Sequence, residues 1–296
     1  MNLYATGFNC WRQLQFSPVV DSAEEPDDIA SFQKVLTDEL VEVHYASLTC
    51  TVVLTSAGLQ YAGSVDEGIE SRLKEELLSS TAAVAGNGVV AMYDGHDTIT
   101  QHASLHQFTR AVDETAFSGM GNITQLTAFD AGFVALASDG KIWTWGDERY
   151  AATLGREAEK PGLVEELEAL PSGKIVKIAT GGYTVVALTE GHDLYAWGGH
   201  PARPLVFETL SNSPSPVDVE DEDILDCSVG ETHMIVLTTN NDVYVTGDNT
   251  HGQLGLPLES TVKWEKVPLA LHNEAIVGIK AGPHSSFIVT RSTCLA

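Results

Sequence analysis

The sequence predicts an all-β protein, a β-propeller of six four-stranded blades, or of seven if residues 100–125 contain a worn blade. Two observations support this prediction. One hairpin pattern recurs along the chain at intervals of about 50 residues, a period typical of propellers and solenoids. In addition, the last copy of the pattern is incomplete, and its missing half stands at the N-terminus. The second observation favours a closed propeller, because a solenoid needs capped ends.

The hairpin pattern is clearest in "ASDGKIWTWGDERYAATLG" (137–155), a strand, an Asp-Gly turn, a strand ending in Trp-Gly, and a polar loop ending in Leu-Gly. Gly198 lies 52 positions after Gly146, and Gly247 lies 49 positions after Gly198. Turn residues between short apolar and aromatic runs predict β-hairpins. The glycine after each second strand permits a sharp turn or a close approach of two backbone segments.

The predicted domain is a single propeller over residues 1–296, built from six copies. They lie near residues 42–63, 82–101, 126–146, 176–198, 225–247 and 276–296. We expect residues 1–8 to close the last copy as an outer strand, while 276–296 supply its inner strands. The N-terminal strand then pairs with the C-terminal blade, and the ring leaves no sheet edge exposed.

Three segments carry a family resemblance: "GETHMIVLTTNNDVYVTGDNTHGQLG" (230–255), "GPHSSFIVT" (282–290) and "GFNCWRQLQF" (7–16). They resemble the repeat of the regulator of chromosome condensation family, and the resemblance extends over nearly all of the chain. It implies a propeller, usually of seven blades, so six copies are a departure. Weak early copies followed by three strong ones also resemble the family's short single-domain, chromatin-associated members.

Composition narrows the classes of partner. The formal net charge is −25 at pH 7, which predicts no direct binding to nucleic acid or anionic membranes, because both require basic surface. It is compatible with a basic protein partner. The four cysteines form no CxxC pair, so neither a zinc site nor a redox motif is expected. Without a signal peptide or a run long enough to span a membrane, we expect the nucleus, the cytoplasm or both.

Departures from the repeat mark candidate contact sites. Residues 21–40 are interpreted as an acidic loop and 65–84 as a short amphipathic helix on the rim. Residues 206–226 are a Ser/Pro loop followed by an acidic run that could dock a basic partner or simply be solvated. The candidate protein-interaction residues are Asp218, Glu220, Asp221, Glu222 and Asp223, with Trp11 and Trp264 as aromatic anchors. Trp143, Trp145 and Trp197 are predicted core residues, because they lie on the repeat's own strands.

No catalytic, cofactor-binding or metal site is predicted. The sequence contains no GxxxxGK[ST], HExxH or GxSxG motif, nor a GxGxxG after a strand. His233 and His284 are interpreted as occupying the same place in two copies, with Tyr183 in a third. A position that repeats with the ring is structural, so we expect such a histidine to bond between blades.

The leading hypothesis is a non-enzymatic interaction propeller, a scaffold or adaptor that is a monomer within a hetero-complex. The resemblance implies a nuclear or chromatin-linked complex, with a histone tail or a chromatin enzyme as partner. It also implies two alternatives. One is guanine-nucleotide exchange on a small GTPase. The other is an accessory role in tRNA wobble-uridine and diphthamide modification, because "LYATGFN" (3–9) resembles the opening of a fungal member of the family. A hydrolase or lyase would rest on the fold alone.

Overall fold

The computed structural model describes residues 1–16, 26–64, 82–110, 112–156, 165–167 and 173–293. Within these ranges the chain forms six antiparallel sheets and a few helical turns. The contacts divide the chain into two units. The first comprises Met1–Glu70, Val206–Glu208 and Val219–Ala296, and the second comprises Ser71–Leu205 and Thr209–Asp218. Each unit contains three of the six sheets, which correspond in number to the six predicted blades.

Sheet A, in the first unit, joins the two ends of the chain. Its strands, in spatial order, are β22 (Glu274–Gly282), β23 (Ser285–Ser292), β1 (Asn2–Gly7) and β2 (Ile29–Thr37). β1 pairs antiparallel with β23, from Asn2 opposite Thr290 to Gly7 opposite Ser285. This is the predicted pairing of the N-terminal strand with the C-terminal copy, but β1 is the third strand and not the outermost.

The outermost strand of sheet A is β2, which the sequence interpretation had placed inside an acidic loop over residues 21–40. That interpretation was wrong for the described part of the segment. The register between β1 and β2 shifts twice, between Leu3 and Tyr4 and between Ala5 and Gly7. Such bulges disrupt the two-residue alternation by which a strand is recognised in sequence. Residues 21–25 of the segment lie outside the described residues.

Two further sheets belong to the first unit. Sheet B contains β3 (Val41–Ala46), β4 (Cys50–Thr55) and β5 (Gly58–Gly63), and sheet F contains β18 (Ile224–Val229), β19 (His233–Thr238), β20 (Val243–Gly247) and β21 (Thr261–Lys266). Sheet B therefore has three strands within the described residues, where four were predicted. Residues 65–81, which follow β5 and include most of the segment predicted as a rim helix, lie outside the described residues. The last three residues of that prediction, 82–84, form a strand, so the helix prediction was wrong for them.

The second unit contains sheets C, D and E. Sheet C contains β6 (Ala82–Val84), β7 (Val90–Tyr93), β8 (Thr98–His102) and β9 (Glu114–Ser118). Sheet D contains β10 (Ile123–Phe129), β11 (Gly132–Ala137), β12 (Ile142–Gly146) and β13 (Glu165–Glu166). Sheet E contains β14 (Ile175–Gly181), β15 (Thr184–Thr189), β16 (Leu194–Gly198) and β17 (Ser215–Val217). Helix α1 spans Leu105–Arg110, a 3₁₀ turn spans Glu148–Tyr150, and helix α2 spans Ala151–Leu154.

Residues 100–125 contain no seventh sheet within the part of the chain that the structure describes. They supply the end of β8, helix α1, strand β9 and the start of β10. The copy near residues 82–101 is worn, because its third strand, β8, ends at His102 and not at a glycine. Residues 100–125 complete this copy, because β9 forms the fourth strand of sheet C.

In each four-stranded sheet the strands end on two opposite sides, and here "edge" means one of these sides and not an unpaired outer strand. We call upper edge the end that carries the turn between the first and second strands and the loop after the third strand. The lower edge carries the hairpin between the second and third strands and the connection to the next sheet. Sheet B follows the same order over its three strands.

The core lies on the second and third strands of the sheets. Every residue of β11, β15 and β19 is buried, as expected for strands that are covered on both faces. Trp145 and Trp197, which the sequence predicted as core, are only 1% and 0% exposed. Trp143 is partly buried and packs against the same cluster as Trp145.

In every described sheet except sheet C, whose third strand ends at His102, a glycine ends the third strand and lies against the backbone of the turn between the first two strands. A Cβ on Gly198 would lie 2.2 Å from the Tyr183 carbonyl oxygen, and one on Gly247 would lie 2.4 Å from that of Thr232. Both glycines have positive φ, +126° and +111°. No other residue type fits both the space and the backbone conformation.

His233 and His284 do not occupy equivalent places. His233 lies opposite Gly247 in sheet F, as Ser285 lies opposite Gly7 in sheet A. His284 therefore corresponds to Thr232, and the interpretation that the two histidines are equivalent was wrong by one residue. The expected bond between blades is present for His233, whose Nε2 lies 2.9 Å from Ser286 Oγ of sheet A.

We predict that Gly198→Ala lowers the free energy of unfolding by at least about 2 kcal/mol, since its Cβ would meet backbone atoms at a positive φ. Two other glycines serve as controls. Gly58 also has positive φ but has no atom within 4 Å of its Cβ position, and Gly278 has open space without the positive φ. We expect Gly58→Ala to cost about 1 kcal/mol and Gly278→Ala to change stability by less than about 0.5 kcal/mol. Urea unfolding of the three variants measures this, and equal effects would contradict the role of the backbone contact.

We also predict that His233 makes stability depend on pH. Complete burial, with a smaller contribution from His284, lowers the His233 pKa to about 4, whereas the unfolded chain binds its proton near pH 6.5. Its contribution is therefore present above about pH 6.5 and is lost as the pH falls toward 4, by roughly 3 kcal/mol. Unfolding free energies of the wild type and His233→Gln at pH 7 and pH 5 should differ in slope. Equal slopes for the two proteins would contradict this role of His233.

Candidate protein-interaction site

The five acidic residues predicted as contacts lie on the lower edge, in the connection between β17 and β18. Asp218, Glu220, Asp221 and Asp223 are exposed. Glu222 is half-buried and accepts a 2.6 Å hydrogen bond from Asn240 Nδ2, in the β19–β20 hairpin. Asp218 belongs to the second unit and the other four to the first. The run thus presents several carboxylates to solvent on a backbone held against a hairpin.

The Trp264 side chain is only partly exposed to solvent. It lies on β21, the outer strand of sheet F, and is half-buried. Its ring stacks on Phe207, with centroids 5.9 Å apart and planes 30° apart, and Phe207 is itself buried. One face of Trp264 is therefore used for packing within the chain.

Trp11 is presented differently, on the upper edge in the loop after β1. Its side chain is 52% exposed. Two hydrogen bonds lie within the loop: Trp11 N donates to Gln13 Oε1 at 3.0 Å, and Leu14 N donates to Asn9 Oδ1 at 3.1 Å. A third ties the loop to sheet B, since Gln13 Nε2 donates to the Leu48 carbonyl at 2.9 Å. Leu14 is fully buried. A large apolar ring is thus exposed on a well-anchored loop.

The loop after β20 has the same internal bonds. His251 N donates to Gln253 Oε1, and Leu254 N donates to Asn249 Oδ1, both at 2.9 Å. Trp11 therefore stands where this loop has His251. Arg12 stands where the repeat has Gly252, and both have positive φ, +59° and +78°.

Around His251 the fold assembles a cluster that combines aromatic rings with carboxylates. The ring centroids of Phe8, His251 and His284 are 4.9 to 6.5 Å apart. His251 Nδ1 lies 2.9 Å from Asp28 Oδ2, and His284 Nε2 lies 3.4 Å from Glu231 Oε2. Burial lowers the pKa of His284, and Glu231 partly opposes this effect. Both histidines thus carry a carboxylate partner on the upper edge of sheets A and F.

The predicted contact residues do not form one surface. Trp11 lies on the upper edge of the first unit, whereas Glu220 and Asp221 lie on its lower edge. Sequence reasoning named Trp11 as a candidate contact but did not name Phe8, His251 or Asp28, which are brought together from distant parts of the chain. The available signal was the match between "GFNCWRQL" (7–14) and "GDNTHGQL" (247–254), which places Trp11 and His251 at the same loop position.

The second unit carries its own aromatic cluster on the upper edge. The ring centroids of Tyr150, Tyr183 and His200 are 4.6 to 5.4 Å apart. The guanidinium of Arg203 lies 5.2 Å from the Tyr183 ring and 3.9 Å from the Asp130 carboxylate. Tyr183 corresponds to His284 of sheet A by register, so aromatic groups recur at this place in both units.

A cleft of about 180 Å³ lies between sheets C and D, also at the upper edge. Trp145 contributes to its lining and donates from Nε1 to Gln101 Oε1 at 2.8 Å. No three His, Cys, Asp or Glu side chains in the described ranges are grouped to bind a metal ion. None of the helices described is long and apolar enough to cross a membrane.

Comparisons with known proteins agree with the repeat. A family model described as the regulator of chromosome condensation (RCC1) repeat matches residues 226–253. Human E3 ubiquitin-protein ligase HERC2 is 31% identical over 165 residues, 53% of this chain and 3% of its own length. The mouse regulator of chromosome condensation is 29% identical over 144 residues, 45% of this chain and 33% of its own. The chain thus spans a third or less of these relatives.

The fold comparison extends over nearly the whole chain. Prp20p from Saccharomyces cerevisiae superposes with a TM-score of 0.70 at 14% identity, covering 98% of this chain and 91% of Prp20p. That structure is described together with its binding to Gsp1p and histones. At this identity the likeness shows the fold. Together with the six sheets, the repeat match and the two relatives, it supports an RCC1-repeat β-propeller.

Proposed function

We propose that the chain is a non-enzymatic interaction propeller, a scaffold or adaptor subunit that binds a protein partner through the upper edge of its first unit. The observation that carries this proposal is Trp11, a large ring held in a hydrogen-bonded loop and 52% exposed. Tryptophan is enriched among residues that dominate binding energy at protein interfaces. A loop that is already ordered loses little conformational entropy when a partner binds.

The surrounding charge favours a basic partner. Asp28 and Glu231 lie on the same edge, each beside a histidine, and the chain carries a net charge of −25. Lysine and arginine side chains would pair with these carboxylates and could also stack on Trp11. The acidic run from Asp218 to Asp223 offers a second place for basic groups, on the lower edge.

The comparisons support a nuclear or chromatin-linked setting for this function. The relatives include the regulator of chromosome condensation, and Prp20p is described with its binding to histones. We therefore propose a histone tail or a chromatin enzyme as the partner, and a monomeric chain within a hetero-complex in the nucleus or cytoplasm. On the same charge argument, direct binding to nucleic acid or membranes is not part of the proposal.

Guanine-nucleotide exchange on a small GTPase is the second candidate. It is supported by the likeness to Prp20p, which is described with its binding to Gsp1p. Nucleotide release from a panel of purified small GTPases separates the two functions. Accelerated release by catalytic amounts of the chain would favour exchange, and unchanged release across the panel would remove this alternative.

We predict that the purified chain binds a lysine-rich histone-tail peptide and that Trp11→Ala raises the Kd at least about tenfold, a loss of 1.4 kcal/mol or more. Val262→Ala is the matched control, because Val262 is 43% exposed on the outer strand of sheet F. Fluorescence anisotropy with a labelled peptide measures both variants. An equal loss in both, or no peptide binding together with no stoichiometric partner from cells, would contradict the proposal.

A separate variant tests the lower edge. Asp218→Asn, Glu220→Gln, Asp221→Asn and Asp223→Asn together remove exposed charge and leave Glu222 with its partner Asn240. If basic groups also dock here, we expect the Kd to rise severalfold at low salt, and the difference to shrink near 1 M salt, where the Debye length is about 3 Å. An unchanged Kd and salt dependence would exclude the acidic run but leave the Trp11 surface intact.

A further inference from the structure

In sheets D and E the loop of one sheet covers the upper edge of the next. Trp197 Nε1, on the third strand of sheet E, donates to the Thr153 carbonyl of the sheet D loop at 3.1 Å. Gly155 is so close that a Cβ there would lie 2.7 Å from the same nitrogen. Leu154 is buried in the cluster that contains Trp197. The Thr-Leu-Gly end of this loop thus seals the edge beside Trp197.

The first unit repeats this arrangement. Thr6, at the Trp197 place in sheet A, donates from Oγ1 to the Gly252 carbonyl of the sheet F loop at 2.7 Å. Leu254 of that loop is fully buried, and Gly255 lies against Thr6 and Phe32. A loop that ends in Leu-Gly therefore fills the space above the following sheet in both units.

Sheet C breaks the pattern, because it is the worn copy. Trp145 of sheet D stands at the Trp197 place, since it pairs with Phe133 as Trp197 pairs with Val185. Its Nε1 donates to the side chain of Gln101 in β8 and not to a loop carbonyl. Residues 103–113, which follow β8, contain no Leu-Gly sequence, and none of them whose side chain the structure describes lines the adjacent cleft. The space that other loops fill is here a cleft of about 180 Å³.

The cleft has an apolar interior with amide groups in its wall. Val89, Ala131, Phe133 and Trp145 supply the apolar lining, and Asn87 and Gln101 supply the amides. Gln101 Oε1 already accepts from Trp145, which leaves its amide nitrogen as a donor for a ligand. Asp147 also lines the cleft but is ion-paired with Arg149, with Nε and Oδ2 2.9 Å apart, so a neutral occupant fits better than a cation.

We propose that this cleft binds a leucine-bearing turn of a protein partner, in the place that Thr153, Leu154 and Gly155 take above sheet E. The aliphatic side chain enters the apolar interior, and a backbone carbonyl accepts from Gln101 Nε2. The cleft of about 180 Å³ is comparable in size to an enclosed cavity of about 150 Å³ that admits benzene. The inference extends the proposed function by giving a partner a second contact, in the other unit and with different chemistry from the Trp11 surface.

The probe is the capped peptide acetyl-Thr-Leu-Gly-amide, followed through the indole N–H resonance of Trp145 in ¹H–¹⁵N NMR spectra. We expect a saturable shift with a Kd of about 1 to 10 mM, as for a ligand of this size, while the Trp197 resonance stays in place. Acetyl-Thr-Ala-Gly-amide is the control, and it should bind at least about fivefold more weakly. Equal shifts with both peptides, or none at 20 mM, would overturn the proposal.

Two variants locate the peptide. Val89→Phe fills the cleft from a partly exposed position, and Gln101→Glu keeps the acceptor for Trp145 but removes the amide donor. Both should lose most of the Trp145 shift, and retained binding in both would overturn the assignment. Trp11→Ala should leave the titration unchanged. Failure of histone-tail binding with a normal peptide titration would reject the proposed function alone, and the reverse result would reject this inference alone.

Discussion

The close backbone contact of the glycine that ends the third strand in five of the six described sheets is the constraint on which the upper edge depends. Gly146, Gly198 and Gly247 lie against the carbonyl of the turn between the first two strands. The loop after the third strand begins at this glycine. The backbone contact therefore fixes the direction in which the loop leaves the sheet, whatever side chains the loop carries. The rings and carboxylates on these loops are therefore positioned by a contact that excludes every side chain larger than hydrogen.

Much of the fold could be predicted from sequence, because its signals are local. Trp-Gly after a short apolar run marks the third strand of sheets D and E, and the split copy indicated the pairing of β1 with β23. Other features are not local. The bulges between β1 and β2 concealed a strand, and the one-residue offset between His233 and His284 became visible only from the partners Gly247 and Gly7.

The candidate site was less predictable than the fold, because its residues come from distant parts of the chain and carry no local signal. Trp11 could be named as a candidate because an aromatic residue outside the repeat's strands has no packing role assigned to it by the pattern. Its neighbours could not be found, since Asp28 and His251 are 223 positions apart and meet only through the register of sheets A and F. Trp264 shows the converse, as its stacking on Phe207 depends on a loop whose path the sequence does not reveal.

On the inference drawn above, a binding surface arises in this fold where the loop of one sheet does not cover the strand ends of the next sheet. In a strong copy, residues such as Leu154 and Leu254 are buried between two sheets. The next sheet also supplies hydrogen-bond donors to the backbone carbonyls of the loop. The loop of a worn copy does not cover the next sheet, although that sheet keeps the residues that would contact it. Sheet D is the example, since Trp145 remains beside the cleft. Packing against the preceding loop and binding a partner are thus alternative uses of the same edge. The loss of a repeat motif can therefore be a functional gain as well as a loss of stability, which is why the weakest copy in such a chain is a place to look for ligands.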